Sequence, residues 1–158
     1  MNIAHIQKAE QGYMATFERS LKHPVQQVWS FLTENGRLQQ WFPELIVDEL
    51  IEGGTIRFDM GDGSFEKMTI LELKPLSVLE YTWDKDRVRF ELSGTDGGCR
   101  LVFIEKLAKI TDHTPRDLAG WHVCLDVIAA LLDDKAVGSR KEEWEKWHVE
   151  YREAVSML

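Results

Sequence analysis

His122 and Asp126 stand four residues apart in an apolar stretch of the chain, and on a helix that spacing lets a carboxylate orient an imidazole, the arrangement a general base uses. The apolar stripe of the same stretch, centred on Leu125, must face the core, so the pair reads as a feature of the helix's less apolar side. Two further charged residues share strand parity with apolar neighbours: Arg19 with Phe17 and Leu21, and Glu105 with Leu101 and Phe103. Both can therefore point inward. The other histidines, His5, His23, His113 and His148, show no HxH or HExxH spacing, and Cys99 and Cys124 form no CxxC pair. Neither a metal site nor a disulfide framework is expected, and the cysteines read as buried thiols. Glycines mark turns instead of a GxSxG elbow, a GxGxxG loop or a P-loop, so nucleophilic catalysis and nucleotide binding have no support. No catalytic residue, metal or organic cofactor is assigned.

The elements that must hold these residues follow from periodicity. Tyr13 to Leu21 alternates and predicts a first strand. Pro24 opens a helix with Val25, Val28, Trp29 and Leu32 at helical spacing, and Asn35-Gly36 breaks it before a second short helix ending near Trp41-Phe42-Pro43. From Glu44 to Leu107, turn chemistry at Gly53-Gly54, Gly61-Asp62-Gly63, Lys74-Pro75, Asp84-Lys85-Asp86 and Gly97-Gly98 separates six strands. Connections this short make an antiparallel meander, which the first strand joins at an edge or closes. Thr114-Pro115-Arg116-Asp117 then starts a long helix, and its stripe of Leu118, Trp121, Leu125, Ile128 and Leu132 is widened by Val123, Cys124, Val127, Ala130 and Leu131 until most sides are apolar. Gly120 inside this helix costs about 1 kcal/mol relative to Ala, and it predicts a close approach of another element there. After Gly138, Trp144, Trp147 and Tyr151 recur at helical spacing and predict an amphipathic tail helix that docks on the domain.

Of the 158 residues, 44% are apolar and 29% charged, the balance of one folded domain. The domain proper is read as residues 1–137, with 138–158 a helical extension packing on it. Nineteen Lys and Arg against 27 Asp and Glu leave a net charge of -8, which repels nucleic acid and anionic lipid. The longest apolar run, Val127 to Leu132, is too short to span a bilayer, and the first residues carry no leader signature, so a cytoplasmic chain without membrane insertion is expected. Seven strands at about 4.8 Å make a sheet roughly 34 Å across, far wider than one helix of about 10 to 12 Å. The sheet must curl, and the space between sheet and helix holds either a ligand or the side chains of six Trp, seven Phe and three Tyr. Periodicity does not separate these two interiors.

The order strand, two short helices, six-strand meander, long helix resembles the START-like (SRPBCC, Bet v 1-like) helix-grip superfamily. His23-Pro24 with Val28-Trp29 and Leu32-Thr33, then Trp41-Phe42-Pro43, Gly53-Gly54, Glu72 with Pro75, Tyr81-Thr82-Trp83, and Gly120-Trp121 with Leu125 resemble its bacterial branch of activator of heat-shock-protein ATPase homologue domains. The resemblance covers roughly residues 13–135. It implies an α+β helix-grip fold: a curled antiparallel sheet of about seven strands around one long C-terminal helix, with two short helices and a helical tail. It also implies a hydrophobic cavity between sheet and helix, and first and last strands that are neighbours, so that Arg19 and Glu105 can pair beneath the pocket.

The function this supports is binding of an apolar or amphipathic small molecule, lipid-like, polyketide-like or aromatic. The cavity is expected to be lined by Phe58, Met60, Tyr81, Trp83, Phe90, Phe103, Trp121, Leu125 and Ile128. Alternatives are an enzyme resembling polyketide cyclases or dehydratases, which needs a buried acid or base such as Glu105 or Arg19, and a co-chaperone-like interaction domain acting through its surface. The chain is expected to be a monomer or weak homodimer.

Overall fold

The structure, a computed structural model, describes residues 3–158. Eight strands form one antiparallel sheet: β1 (His5–Ala9), β2 (Gly12–Leu21), β3 (Leu45–Val47), β4 (Thr55–Asp59), β5 (Phe65–Lys74), β6 (Val78–Trp83), β7 (Asp86–Thr95) and β8 (Gly98–Leu107). Their order is β1-β2-β8-β7-β6-β5-β4-β3, so the six-strand meander is present and the strand from Gly12 closes it against β8. Four helices accompany the sheet: α1 (Val25–Thr33), α2 (Asn35–Trp41), α3 (Thr114–Leu132) and α4 (Arg140–Ser156). This is the α+β helix-grip arrangement.

The sheet has one strand more than expected. β1 carries only Ile6 and Ala9 half-buried, so it has no alternation for periodicity to detect. What makes it a strand is the hairpin at Glu10-Gln11, where Gly12 takes φ +92° and a Cβ would lie 2.1 Å from the Leu107 carbonyl. In β5 the register shifts between Ile70 and Glu72. Met68 and Ile70 face the core before that bulge, and beyond it Glu72 pairs with Glu80 on the outer face, where Arg89 donates to both carboxylates at 2.7 and 2.8 Å.

Register aligns the inner face in rows. Phe17, Phe103, Phe90 and Leu79 lie across four neighbouring strands, and Ala15, Glu105, Val88 and Tyr81 form the next row. Over these rows lies α3, with Leu118, Trp121, Leu125, Ile128 and Leu132 all buried. The rest of the interior is filled from the side by α2. Trp41 is fully buried, donates its indole N–H to the Phe31 carbonyl at 2.7 Å, and packs on Phe90 and Trp121 with centroids 6.4 and 6.5 Å away.

On its far side α3 is covered by α4, whose Trp147 and Tyr151 are buried. His122, 1% exposed, lies between the two helices. Its ring stacks on Trp147 at 3.7 Å, its Nδ1 is 2.7 Å from the Tyr151 hydroxyl, and its Nε2 is 3.4 Å from Asp126. Tyr151 also accepts the Ala4 N–H, so the tail ties the chain's beginning to α3. The less apolar side of α3 is therefore a second interior instead of a wet face, because a half-apolar tail covers it.

Candidate functional site: an indole-floored cleft at the mouth of the grip

The inner-face residues predicted to line a central cavity are packed on one another. Phe103 lies 4.8 Å from Phe90 and 4.5 Å from Trp121 between ring centroids, and Tyr81, Leu125 and Ile128 are equally buried around them. Phe58 is half-buried at the edge of this cluster, against Phe42 and Trp83. The middle of the grip is solid. Met60 corrects the expected set most sharply: β4 ends at Asp59, Met60 enters the Gly61-Asp62-Gly63 turn, and its side chain is 51% exposed.

Open space lies instead at the mouth of the grip, in a cleft of about 450 Å³. Phe42 after α2, Trp83 at the end of β6, and Trp121 on α3 meet there, with Trp83 and Trp121 at 5.0 Å and Phe42 at 5.7 Å from each. Trp144, on the first turns of α4, adds a third indole and donates its N–H to the Arg116 carbonyl. Charged side chains complete the lining: Glu44, Asp117, Arg116 and Arg140. Arg140 is held in place by the Trp41 carbonyl at 3.0 Å and the Cys124 sulfur at 3.5 Å. Cys124 itself is an inert thiol here, because burial pushes its pKa up to about 12.

Gly120 also borders this cleft, and a Cβ built on it meets nothing within 4 Å. The close helix approach predicted from this glycine is therefore absent, and the residue instead leaves the cleft floor unobstructed between Trp121 and Asp117. Gly120→Ala is expected to raise unfolding stability by about 1 kcal/mol, since it removes a helix-interior glycine without a clash. A denaturant titration in which the variant is less stable than the parent would contradict this.

Arg19 and Glu105 do not pair. In the β2–β8 register Arg19 sits opposite Leu101 while Glu105 sits opposite Ala15, four residues further along, a separation of roughly 13 Å at about 3.3 Å per residue. Arg19 reaches α3 instead and donates to Asp126 at 3.3 Å and to the Glu18 carbonyl at 2.8 Å. Glu105 is fully buried at the mouth end of the sheet, and among the described residues no N–H or hydroxyl donates to either of its oxygens. Burial first, and then the Asp117 carboxyl, raise its pKa well above the usual carboxylate range. Asp117 lines the cleft and accepts the Trp83 indole N–H at 3.2 Å. It also accepts a hydrogen bond from the protonated Glu105 carboxyl, which helps to keep the proton on Glu105. The Trp121 indole N–H is buried and unpaired.

Sequence reasoning read Asp117 only as an acid in the first turn of α3. Its position four residues before Trp121 was the available signal that both project from one helix face. Phe42, Glu44 and Arg140 left no comparable signal, because the connection after α2 and the start of α4, far apart in the chain, bring them to the cleft. Among the described residues no cluster of His, Cys, Asp and Glu is placed to hold a metal ion, and no helix is long and apolar enough to cross a membrane.

The fold recurs in solved structures. A conserved protein of unknown function from Enterococcus faecalis, EF2215, is 28% identical and superposes with a TM-score of 0.87 over 98% of this chain and 91% of its own. CalU16 from Micromonospora echinospora (19% identity, TM-score 0.74, 96% and 95% covered) and BPP1335 from Bordetella parapertussis (22% identity, TM-score 0.73, 96% and 92% covered) share the fold. No match is found among curated proteins. The family model described as Activator of Hsp90 ATPase homolog 1-like protein matches residues 22–133, which run from the end of β2 through the whole of α3 and contain most of the cleft. The chain belongs to the family of Activator of Hsp90 ATPase homolog 1-like proteins.

Proposed function

We propose that this protein binds an apolar or amphipathic small molecule, seated on the indole floor of the mouth cleft and not deep in the grip. The observation that carries this reading is the cleft itself. Its volume suits one planar molecule of modest size, Phe42, Trp83, Trp121 and Trp144 offer aromatic faces to it, and the charged side chains of the lining can meet a polar end. An interaction surface on the outer sheet face is less favoured, because the charges there satisfy one another: Arg89 and Lys106 both bond Glu80, and Arg89 also bonds Glu72 and Glu91.

A neutral environment-sensitive dye such as Nile red tests the reading. It is expected to bind saturably with one site per chain. Gly120→Leu, which fills open space beside Trp121, is expected to weaken it about tenfold or more, the equivalent of about 1.4 kcal/mol. Absence of saturable binding, or binding that Gly120→Leu leaves unchanged in a folded variant, would overturn the assignment to this cleft.

A further inference from the structure

We propose that the ligand of the mouth cleft carries a carboxylate, which passes Trp144 into a neighbouring groove and is held there by Arg116, His148 and Arg152. The inference rests on the binding reading above and adds the chemical class of the ligand.

Two open volumes meet at the start of α3. Beside the mouth cleft lies a second groove of about 470 Å³, between the first turn of α3 and the later turns of α4, and Arg116 lines both. Trp144, His148 and Arg152 follow one another at steps of four along α4 and so share one of its faces. Trp144 belongs to the cleft and His148 to the groove, and their rings stack with centroids 4.7 Å apart. The Trp144 indole is fixed there by its 3.2 Å bond to the Arg116 carbonyl. Two steps of four residues carry the face from Trp144 to Arg152, about 12 Å at 1.5 Å per residue, which a ring with a short chain spans.

The groove gathers positive charge in a chain whose net charge is -8. Among the described residues neither Arg116 nor Arg152 forms an ion pair, whereas Arg19, Arg57, Arg87, Arg89 and Arg100 each do. Both arginines bear on His148, one from its own helix and one from α3. Burial first, and then these two charges, lower the His148 pKa, so its ring is neutral at neutral pH and offers an N–H. Asp112 also lines the groove and pairs with neither arginine. Two arginines against one aspartate leave a single positive charge, which a carboxylate neutralises and a phosphate dianion exceeds. A guanidinium also matches a carboxylate with two parallel N–H bonds. Within the cleft itself an anion is less well served, because Arg140 is engaged by the Trp41 carbonyl while Glu44 and Asp117 repel it.

1-Pyrenebutyrate and 1-pyrenebutanol, which share ring and chain and differ in the terminal group, are the probes. Competition against Nile red at low ionic strength is expected to show the carboxylate binding about tenfold more tightly than the alcohol, with the preference shrinking as salt is added. Arg116→Gln and Arg152→Gln should each remove much of that preference, and the double variant should abolish it, while pyrenebutanol affinity changes less than about twofold. Lys8→Gln on β1 removes one positive charge elsewhere and should leave the preference at its parent value. All three positions are exposed, so these variants keep the fold. Equal affinity of the parent for both probes, or a preference that survives the double variant, would overturn the carboxylate inference and leave the binding reading standing. A loss in Lys8→Gln as large as in Arg152→Gln would overturn it too, since net charge alone would then account for the preference. Failure of both probes to displace bound dye would overturn the inference, whereas absence of any dye binding would remove the binding reading itself.

Discussion

A chain ending at Val137 is expected to lose most of its stability, with the melting temperature falling on the order of 10 °C or more. Removal of α4 takes away Trp147 and Tyr151, both buried, and the half-buried Trp144. Each large aromatic side chain buries roughly 150 to 250 Å², worth up to about 4 to 6 kcal/mol at about 25 cal/mol per Å². Much of that gain is offset by the entropy of ordering the helix, so the net loss is several kcal/mol, against a total stability of about 5 to 15 kcal/mol. The truncation also strips the stacking partner from His122 and the hydroxyl from both His122 and the Ala4 N–H. Tyr151→Phe isolates that last part, since it keeps the ring and deletes two hydrogen bonds, and about 1 to 3 kcal/mol should be lost. Thermal melts of the three proteins check both figures. If the truncated chain melts at the parent temperature but changes its oligomeric state, the tail serves an intermolecular contact and its packing on α3 contributes little.

The second large effect is a dependence of stability on pH with two opposing parts. His122 is buried between α3 and α4, and burial, then the positive charges of Arg19 on β2 and Lys146 on α4, lower its pKa to about 3. Tyr151 and Trp147 face it from α4, and Asp126 faces it from its own helix. Above its unfolded pKa of about 6.5 the imidazole is neutral in both states and contributes no pH dependence. Between that value and about 3, only the unfolded chain takes up the proton, so stability falls as the solution is acidified. At about 1.4 kcal/mol for each tenfold change in proton affinity, the full loss is on the order of 5 kcal/mol.

Glu105 acts in the other direction. Its pKa is raised in the folded protein, so its contribution is fully present below the unfolded carboxylate value and is lost as pH rises through the folded one. Denaturant midpoints measured from pH 3 to 8 should therefore show a flatter acid limb in His122→Gln and a gain for Glu105→Gln relative to the parent that grows toward neutral pH. An unchanged acid limb in His122→Gln would mean that other groups carry the acid sensitivity, such as Glu80, whose pKa is lowered, against the effect of burial, by the bonds from Arg89 and Lys106.

Much of the architecture was legible from residue order alone. Alternation located the strand around Phe17 and the six-strand meander, and turn chemistry separated its members. The Thr114-Pro115 start and the stripe from Leu118 to Leu132 located α3. These signals are local, because strand and helix periods state which face of an element is buried, and short connections leave few ways to arrange neighbours. β1 escaped because an exposed edge strand has no buried face to mark it.

What lies opposite a buried face is not local, and there the tertiary structure decided. The residues from Phe58 to Ile128, Met60 excepted, were recognisable as interior, yet Trp41 and Phe42 come in from α2 to fill the space, so the interior is packed and the opening moves to its mouth. Parity allowed Arg19 and Glu105 to face inward; the β2–β8 register placed them in different rows, one reaching Asp126 and the other beside Asp117. Gly120 was visible as a costly residue in a strong helix, but only the empty volume beside it shows what the missing side chain leaves open. A sequence specifies burial through patterns a few residues long, whereas a cleft is the volume that several elements, distant in the chain, leave unfilled.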